Sequence, residues 1–93
     1  MENAKAIAEL LKVMANENRM LIVCYLLEGP MTVSQLHSKI NHLTQSALSQ
    51  HLSILKAHKI LDSEKRGLCI TYSIQDHRIK NFIQVLKDNY CNY

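Results

Sequence analysis

Between Gly29 and Thr44 the chain stops one helix, starts a second, turns and starts a third, and this punctuation constrains its fold more than any other feature. Gly29-Pro30 ends a helix, because Gly accepts the left-handed position past a C-terminus and Pro cannot continue the helical bonding. Thr32-Val33-Ser34-Gln35 then has the spacing of a capping box, which predicts a short helix to about Lys39. Ile40 to Leu43 make a turn, and Thr44 caps a longer helix reaching about His58. A short helix and a longer one joined by a tight turn is helix-turn-helix organisation.

The flanks extend this pattern. Ala4, Ile7, Leu11 and Met14 recur at helical spacing and predict a first helix from about Glu2 to Met14. Asn16 reads as the N-cap of a second helix running to about Glu28, with Glu17 in its first turn. This helix is apolar almost all round, so it is expected at the centre of the core. Ile60 to Lys65 and Leu68 to Ile74 predict a hairpin around Arg66-Gly67, with Ile70, Tyr72 and Ile74 on one face and Cys69, Thr71 and Ser73 on the other. A last helix follows from about Asp76 to Asn89 or slightly beyond, with the stripe Ile79, Phe82, Ile83, Leu86, Tyr90. The expectation is one winged helix-turn-helix domain over residues 1–93, mainly α with a small β-hairpin, in the order α-α-α-α-β-β-α. Trp is absent, so the core rests on Leu, Ile, Val, Met and Ala, and so small a core gains from dimerising. No apolar run approaches the roughly 18 residues of a membrane span, and MENAKAIAEL has no signal-peptide pattern, so a soluble cytoplasmic protein is expected. In that reducing setting the three cysteines are inert, metal-binding or redox-active rather than a disulfide scaffold.

The net charge of +3 is unevenly placed. From Gly29 to Leu61 there is no Asp or Glu, while Lys39, Lys56 and Lys59 lie inside, with His37, His42, His51 and His58. The whole positive excess therefore sits in one third of the chain, which favours a polyanionic partner. Within the longer helix, Ala47, Leu48, Leu52 and Leu55 fall on one side and are expected to pack inward. The other side presents Gln45, Ser46, Ser49, Gln50, Ser53 and Lys56, short hydrogen-bonding groups with one cation and no anion. Gln can pair with adenine edges, Ser can reach bases or phosphates, and the helix N-terminus can aim N–H groups at phosphate. Ordinary solvated helix faces carry mixed Glu and Lys pairs, and this one carries none. The expected double-stranded DNA contacts are Ser34, Gln35, Thr44, Gln45, Ser46, Ser49, Gln50, His51 and Lys56, with Lys65 and Arg66 at the hairpin tip. A packing role is the other reading of His51, and plain solvation is the other reading of Arg66.

The order of elements, together with LLKVMANENRMLIVCYLL and LTQSALSQHLSILK, resembles the ArsR/SmtB transcriptional repressors over nearly the whole chain. The resemblance implies a homodimer joined through its first and last helices. Each subunit would place its recognition helix in one half of an inverted-repeat operator and let go when an inducer binds. The turn Ile40 to Leu43 is longer than usual for the family, which bears on the tilt of that helix. The family's metal sites find little here. The first helix of the helix-turn-helix reads Val33-Ser34-Gln35-Leu36-His37 without a thiol, and Asp76 and His77 lack the later His and acid, since Asn89 and Asn92 stand there instead. No metal and no cofactor is expected.

What the resemblance implies for the thiols is more specific. Cys24 in the second helix and Cys91 at the end of the last look like the two-cysteine subgroup that senses reactive sulfur species or oxidants. There a disulfide or short polysulfide joins the two positions and the reduced form binds DNA. On its own, Cys24 reads as core filler, since cysteine is among the most often buried residues. Cys91 lies off the apolar stripe of its helix, near Gln84 and Lys87. Cys69 falls on the polar face of the hairpin and carries no role in this scheme. A repressor answering to a metal, or to no small inducer, leaves the cysteines structural and stays open. A thiol enzyme is disfavoured by the absence of Cys-x-x-Cys, and a winged helix used for protein contacts is disfavoured by the acid-free block.

Overall fold

Both threonines read as helix starts act as caps. Thr32 Oγ1 accepts from Gln35 N at 3.1 Å while Gln35 Oε1 accepts from Thr32 N at 2.8 Å, a complete capping box. Thr44 Oγ1 accepts from Ala47 N at 3.0 Å. The computed structural model describes residues 3–90. Over them run α1 (Ala4–Met14), α2 (Glu17–Leu26), β1 (Met31–Thr32), α3 (Val33–Lys39), α4 (Gln45–Ala57), β2 (Leu61–Arg66), β3 (Cys69–Ile74) and α5 (His77–Tyr90). This is the mainly helical winged helix-turn-helix that the sequence predicts. Among the described residues no helix is long and apolar enough to cross a membrane.

The predicted start of α1, Glu2, lies outside the described residues. Three details differ from expectation. The second helix ends two residues early, because Gly29 N turns back to Leu26 O at 3.1 Å and Gly29 holds φ at 144°, where no helix continues. The hairpin is a three-stranded antiparallel sheet in the order β1-β3-β2, not two strands alone. Thr32 explains the addition: its capping conformation is extended, at φ −75° and ψ 162°, so the same residue pairs with Thr71. Finally, the turn is Gly67-Leu68, one residue later than expected, with Arg66 paired to Cys69. Gly67 has φ 61° and Leu68 does not have positive φ, which is the type II′ pattern with Gly first.

Ile60, expected in the first strand, belongs to the end of α4. Its N–H bonds Leu55 O at 3.0 Å, and Lys59 N bonds Lys56 O at 2.9 Å with Lys59 at φ 59°. That is a Schellman ending with a lysine where Gly is usual. Ile60 O then accepts from Gln75 N and Asp76 N, which fastens the entry of α5 to the end of α4.

The core gathers Ile22, Val23 and Leu26 of α2, Leu36 of α3, Leu48, Leu52 and Leu55 of α4, and Ile79 and Ile83 of α5. Ala47 is only partly buried, and Ile70 stands 39% exposed beyond the core while Tyr72 is buried. The α1 stripe divides: Met14 is buried, but Ile7 and Leu11 remain 37% and 42% exposed. On α5, Phe82, Val85 and Tyr90 are likewise uncovered.

Candidate nucleic-acid interface and thiol cavity

Gln45, Ser46, Ser49, Gln50, Ser53 and Lys56 are all exposed along one side of α4, and Thr44, Ser34 and Gln35 are exposed beside its start. The opposite side is locked by Leu48, Leu52 and Leu55, fully buried, so the polar row has a fixed direction. A cleft of about 240 Å³ separates this row from the wing, with Ser34, Gln45 and Ser49 on one wall and Leu68, Cys69 and Ile70 on the other. Lys56 Nζ donates to Ser63 Oγ of β2 at 2.7 Å, which ties α4 to the wing.

Leu68 and Cys69 were not among the sequence candidates. Their place in the cleft depends on the pairing of β1 with β3, and a two-residue strand leaves no periodic signal. Lys65 and Arg66 stand exposed at the wing as expected, but the Arg66 guanidinium is already paired with Glu64 through Nε and Nη2, each at 3.1 Å.

Three histidines of the acid-free block are engaged by the protein. His37 Nε2 lies 2.9 Å from Leu43 O and closes the turn on α3. His42 Nε2 lies 2.8 Å from Asn18 Oδ1, tying the turn to the start of α2. His51, half-buried, accepts from Arg19 Nε at its Nδ1 at 3.3 Å, and Arg19 Nη1 donates to Val13 O. Burial first, and the Arg19 charge second, hold the proton affinity of His51 below its usual value. Its ring therefore sits between α2 and α4 as an acceptor, apart from the row of exposed polar groups. Among the described residues no group of three His, Cys, Asp or Glu could hold a metal ion.

Cys24 is half-buried against the core and also lines a cavity with Leu21 and Tyr25 of α2 and Glu28 just past its end. Lys39 of α3 and Lys87 of α5 complete that lining. Neither lysine is singled out for this cavity by sequence spacing, because only tertiary packing brings residues of three helices to one cavity. Cys91 lies outside the described residues; Lys87 stands four residues before it in the sequence. Cys69 is exposed on β3.

Comparison with known proteins agrees with the architecture. A family model described as bacterial regulatory protein, arsR family, matches residues 16–63, from the N-cap of α2 into β2. The transcriptional activator HlyU of Vibrio cholerae is 39% identical over 96% of this chain and 81% of its own length. The structure of reduced HlyU from Vibrio cholerae superposes with a TM-score of 0.91, at 37% identity over 97% of this chain and 94% of that one. The transcriptional repressor BigR from Xylella fastidiosa gives a TM-score of 0.90, at 28% identity over 97% of this chain and 91% of that one.

Proposed function

The chain belongs to the arsR family of bacterial regulatory proteins, DNA-binding transcriptional regulators, and from that premise we propose a homodimeric repressor that releases its operator when Cys24 and Cys91 are joined. Regulators of this family bind DNA operators and are typically dimers. The observation that carries the DNA role here is the exposed row Gln45, Ser46, Ser49, Gln50, Ser53, Lys56, held outward by a buried leucine row and free of any carboxylate. Gln45 and Gln50 supply base-edge pairing. Thr44, Ser34 and Gln35 bring the starts of α3 and α4 toward phosphate, and Lys56 and Lys65 add cationic contacts. Arg66 joins them once phosphate competes with Glu64.

Dimerisation through α1 and α5 is supported by the apolar side chains those helices leave uncovered, Ile7, Leu11, Phe82 and Val85. The thiol switch is supported by Cys24 facing a cavity that α5 helps to form. A relative whose structure is described as reduced fits a protein for which thiol state matters. In the switch, one sulfur atom passes from a persulfide donor to Cys24. The Cys91 thiolate then attacks Cys24 Sγ and hydrogen sulfide leaves, so two thiols give up two electrons and a sulfane sulfur takes them. A longer bridge retains further sulfur. Drawing α5 toward α2 shifts the interface between subunits. Half-sites about 34–36 Å apart then no longer match both recognition helices.

Operator binding with and without a polysulfide donor, for wild type, Cys24→Ser and Cys91→Ser, tests this. Wild type should release DNA on treatment and both serine variants should hold it. Release by both variants refutes the thiol switch.

A further inference from the structure

The cavity at Cys24 holds charge as well as a thiol. Its volume, about 460 Å³, lies within the range of small-molecule sites. Leu21 and Cys24 contribute half-buried surface, whereas Glu28 and Lys39 stand exposed and Lys87 is half-buried. Two ammonium groups thus oppose one carboxylate, and among the described residues none of the three belongs to an ion pair. The lysines come from different helices, α3 and α5, and line the same cavity as the thiol. A solvated lysine needs no such neighbour. Two of them in one cavity with the cysteine of α2, against a single carboxylate, give that cavity a net positive charge, and such a field selects among the molecules that enter.

Resting on the thiol switch proposed above, we infer that Lys39 and Lys87 make this cavity selective for anionic sulfane-sulfur donors. These are compounds R–S–SH in which R carries a carboxylate, and they are preferred over neutral donors of the same size. The carboxylate sits between the two ammonium groups while the terminal sulfur meets Cys24. The Cys24 sulfur bonds that terminal sulfur, and the S–S bond of the donor breaks. The electron pair leaves on R–S⁻, and R–S⁻ takes the proton that Cys24 gives up. The products are the Cys24 persulfide and R–SH, with no outside oxidant.

The test uses the full chain carrying Cys91→Ser, so that reaction stops at the Cys24 persulfide. Mass spectrometry follows the gain of one sulfur from mercaptopropionate persulfide and from mercaptoethanol persulfide at low ionic strength. The carboxylate donor should react about 10-fold faster, the scale of modest electrostatic steering. In Lys39→Gln/Lys87→Gln on the same background, checked for fold by circular dichroism, the two rates should converge to within about twofold. Equal rates in the parent, or a preference that survives the double substitution, overturn the inference and leave the thiol switch standing. No sulfur uptake at Cys24 from either donor overturns both.

Discussion

The helix-turn-helix and the outer helices α1 and α5 pack on one core yet leave opposite surfaces bare. On α4 the uncovered row is polar and without acid; on α1 and α5 it is Ile7, Leu11, Phe82 and Val85. A polar, acid-free surface suits phosphate and base edges. An apolar one is stabilised only by another apolar face, at about 25 cal/mol per Å² covered. In the function proposed above, the contrast separates the face that meets DNA from the face that meets a second subunit.

The largest effect expected from breaking this contrast comes from placing acid on the polar row. Ser49→Glu/Gln50→Glu removes two contacts and sets two anions against phosphate. It should weaken binding to operator DNA about 1,000-fold, at about 1–3 kcal/mol per lost contact. Fluorescence anisotropy across a salt series measures it, with circular dichroism unchanged. Next comes Phe82→Glu, which puts a charge on the 43% exposed apolar side chain of α5. Self-association measured by ultracentrifugation should fall about 100-fold, because a buried Phe contributes about 1.5–3 kcal/mol and an unpaired buried carboxylate costs more. DNA affinity should fall with it, since a single subunit engages one half-site. A dimer that survives this change would move the interface elsewhere.

The two regions also differ in how their helices start. Thr32 and Thr44 cap α3 and α4 with hydroxyls, whereas α5 starts on Asp76, whose Oδ1 accepts from Arg78 N at 2.9 Å and Ile79 N at 3.4 Å. Either chemistry satisfies a helix N-terminus. Only the hydroxyl does so without placing negative charge on the face proposed to meet DNA. The Arg78 side chain holds the Asp76 carboxyl below the usual range, so that cap stays charged at neutral pH, away from the polar row. Thr44→Asp should consequently fold as well as wild type and bind DNA about 10-fold more weakly, from one added anion near phosphate. Unchanged affinity would show that the start of α4 does not approach the DNA.

Most of this fold was legible because local chemistry announces it. Asn16, Thr32 and Thr44 are side-chain caps, Gly29 is a stop, and the leucines of α4 keep strict helical spacing. What escaped was set by tertiary packing. β1 is too short for a period and hides inside a cap. The shift of the wing turn depends on which residue takes φ 61°. The division of the α1 stripe depends on which neighbours a single subunit supplies. At the candidate site, the polar row of α4 was readable from spacing alone, and Lys39, Lys87, Leu68 and Cys69 were not. Each of those four reaches its neighbours only after elements distant in sequence have met.

His51 joins the two regions, and there the expected effect is smallest. It lies on α4 next to Gln50, but its Nδ1 is bound to Arg19 of α2, which also reaches Val13 O at the end of α1. Burial and the Arg19 charge lower its proton affinity from the ordinary 6.5. Just below that pH the unfolded chain therefore binds more protons at this position than the folded one, and stability rises with pH. The contribution is complete above about pH 6.5 and is lost as pH falls from there through the lower folded-state value. Urea midpoints of wild type should drop between about pH 7.5 and 5.5, and the drop should be smaller in His51→Gln, which has nothing to protonate. Arg19→Gln should also shrink it, by less, because burial is the larger cause and remains. The difference between variants isolates this residue from His37 and His42, which are the same in all three proteins. Identical profiles in wild type and His51→Gln would remove the histidine from the link between α2 and the recognition helix and leave that link to apolar packing.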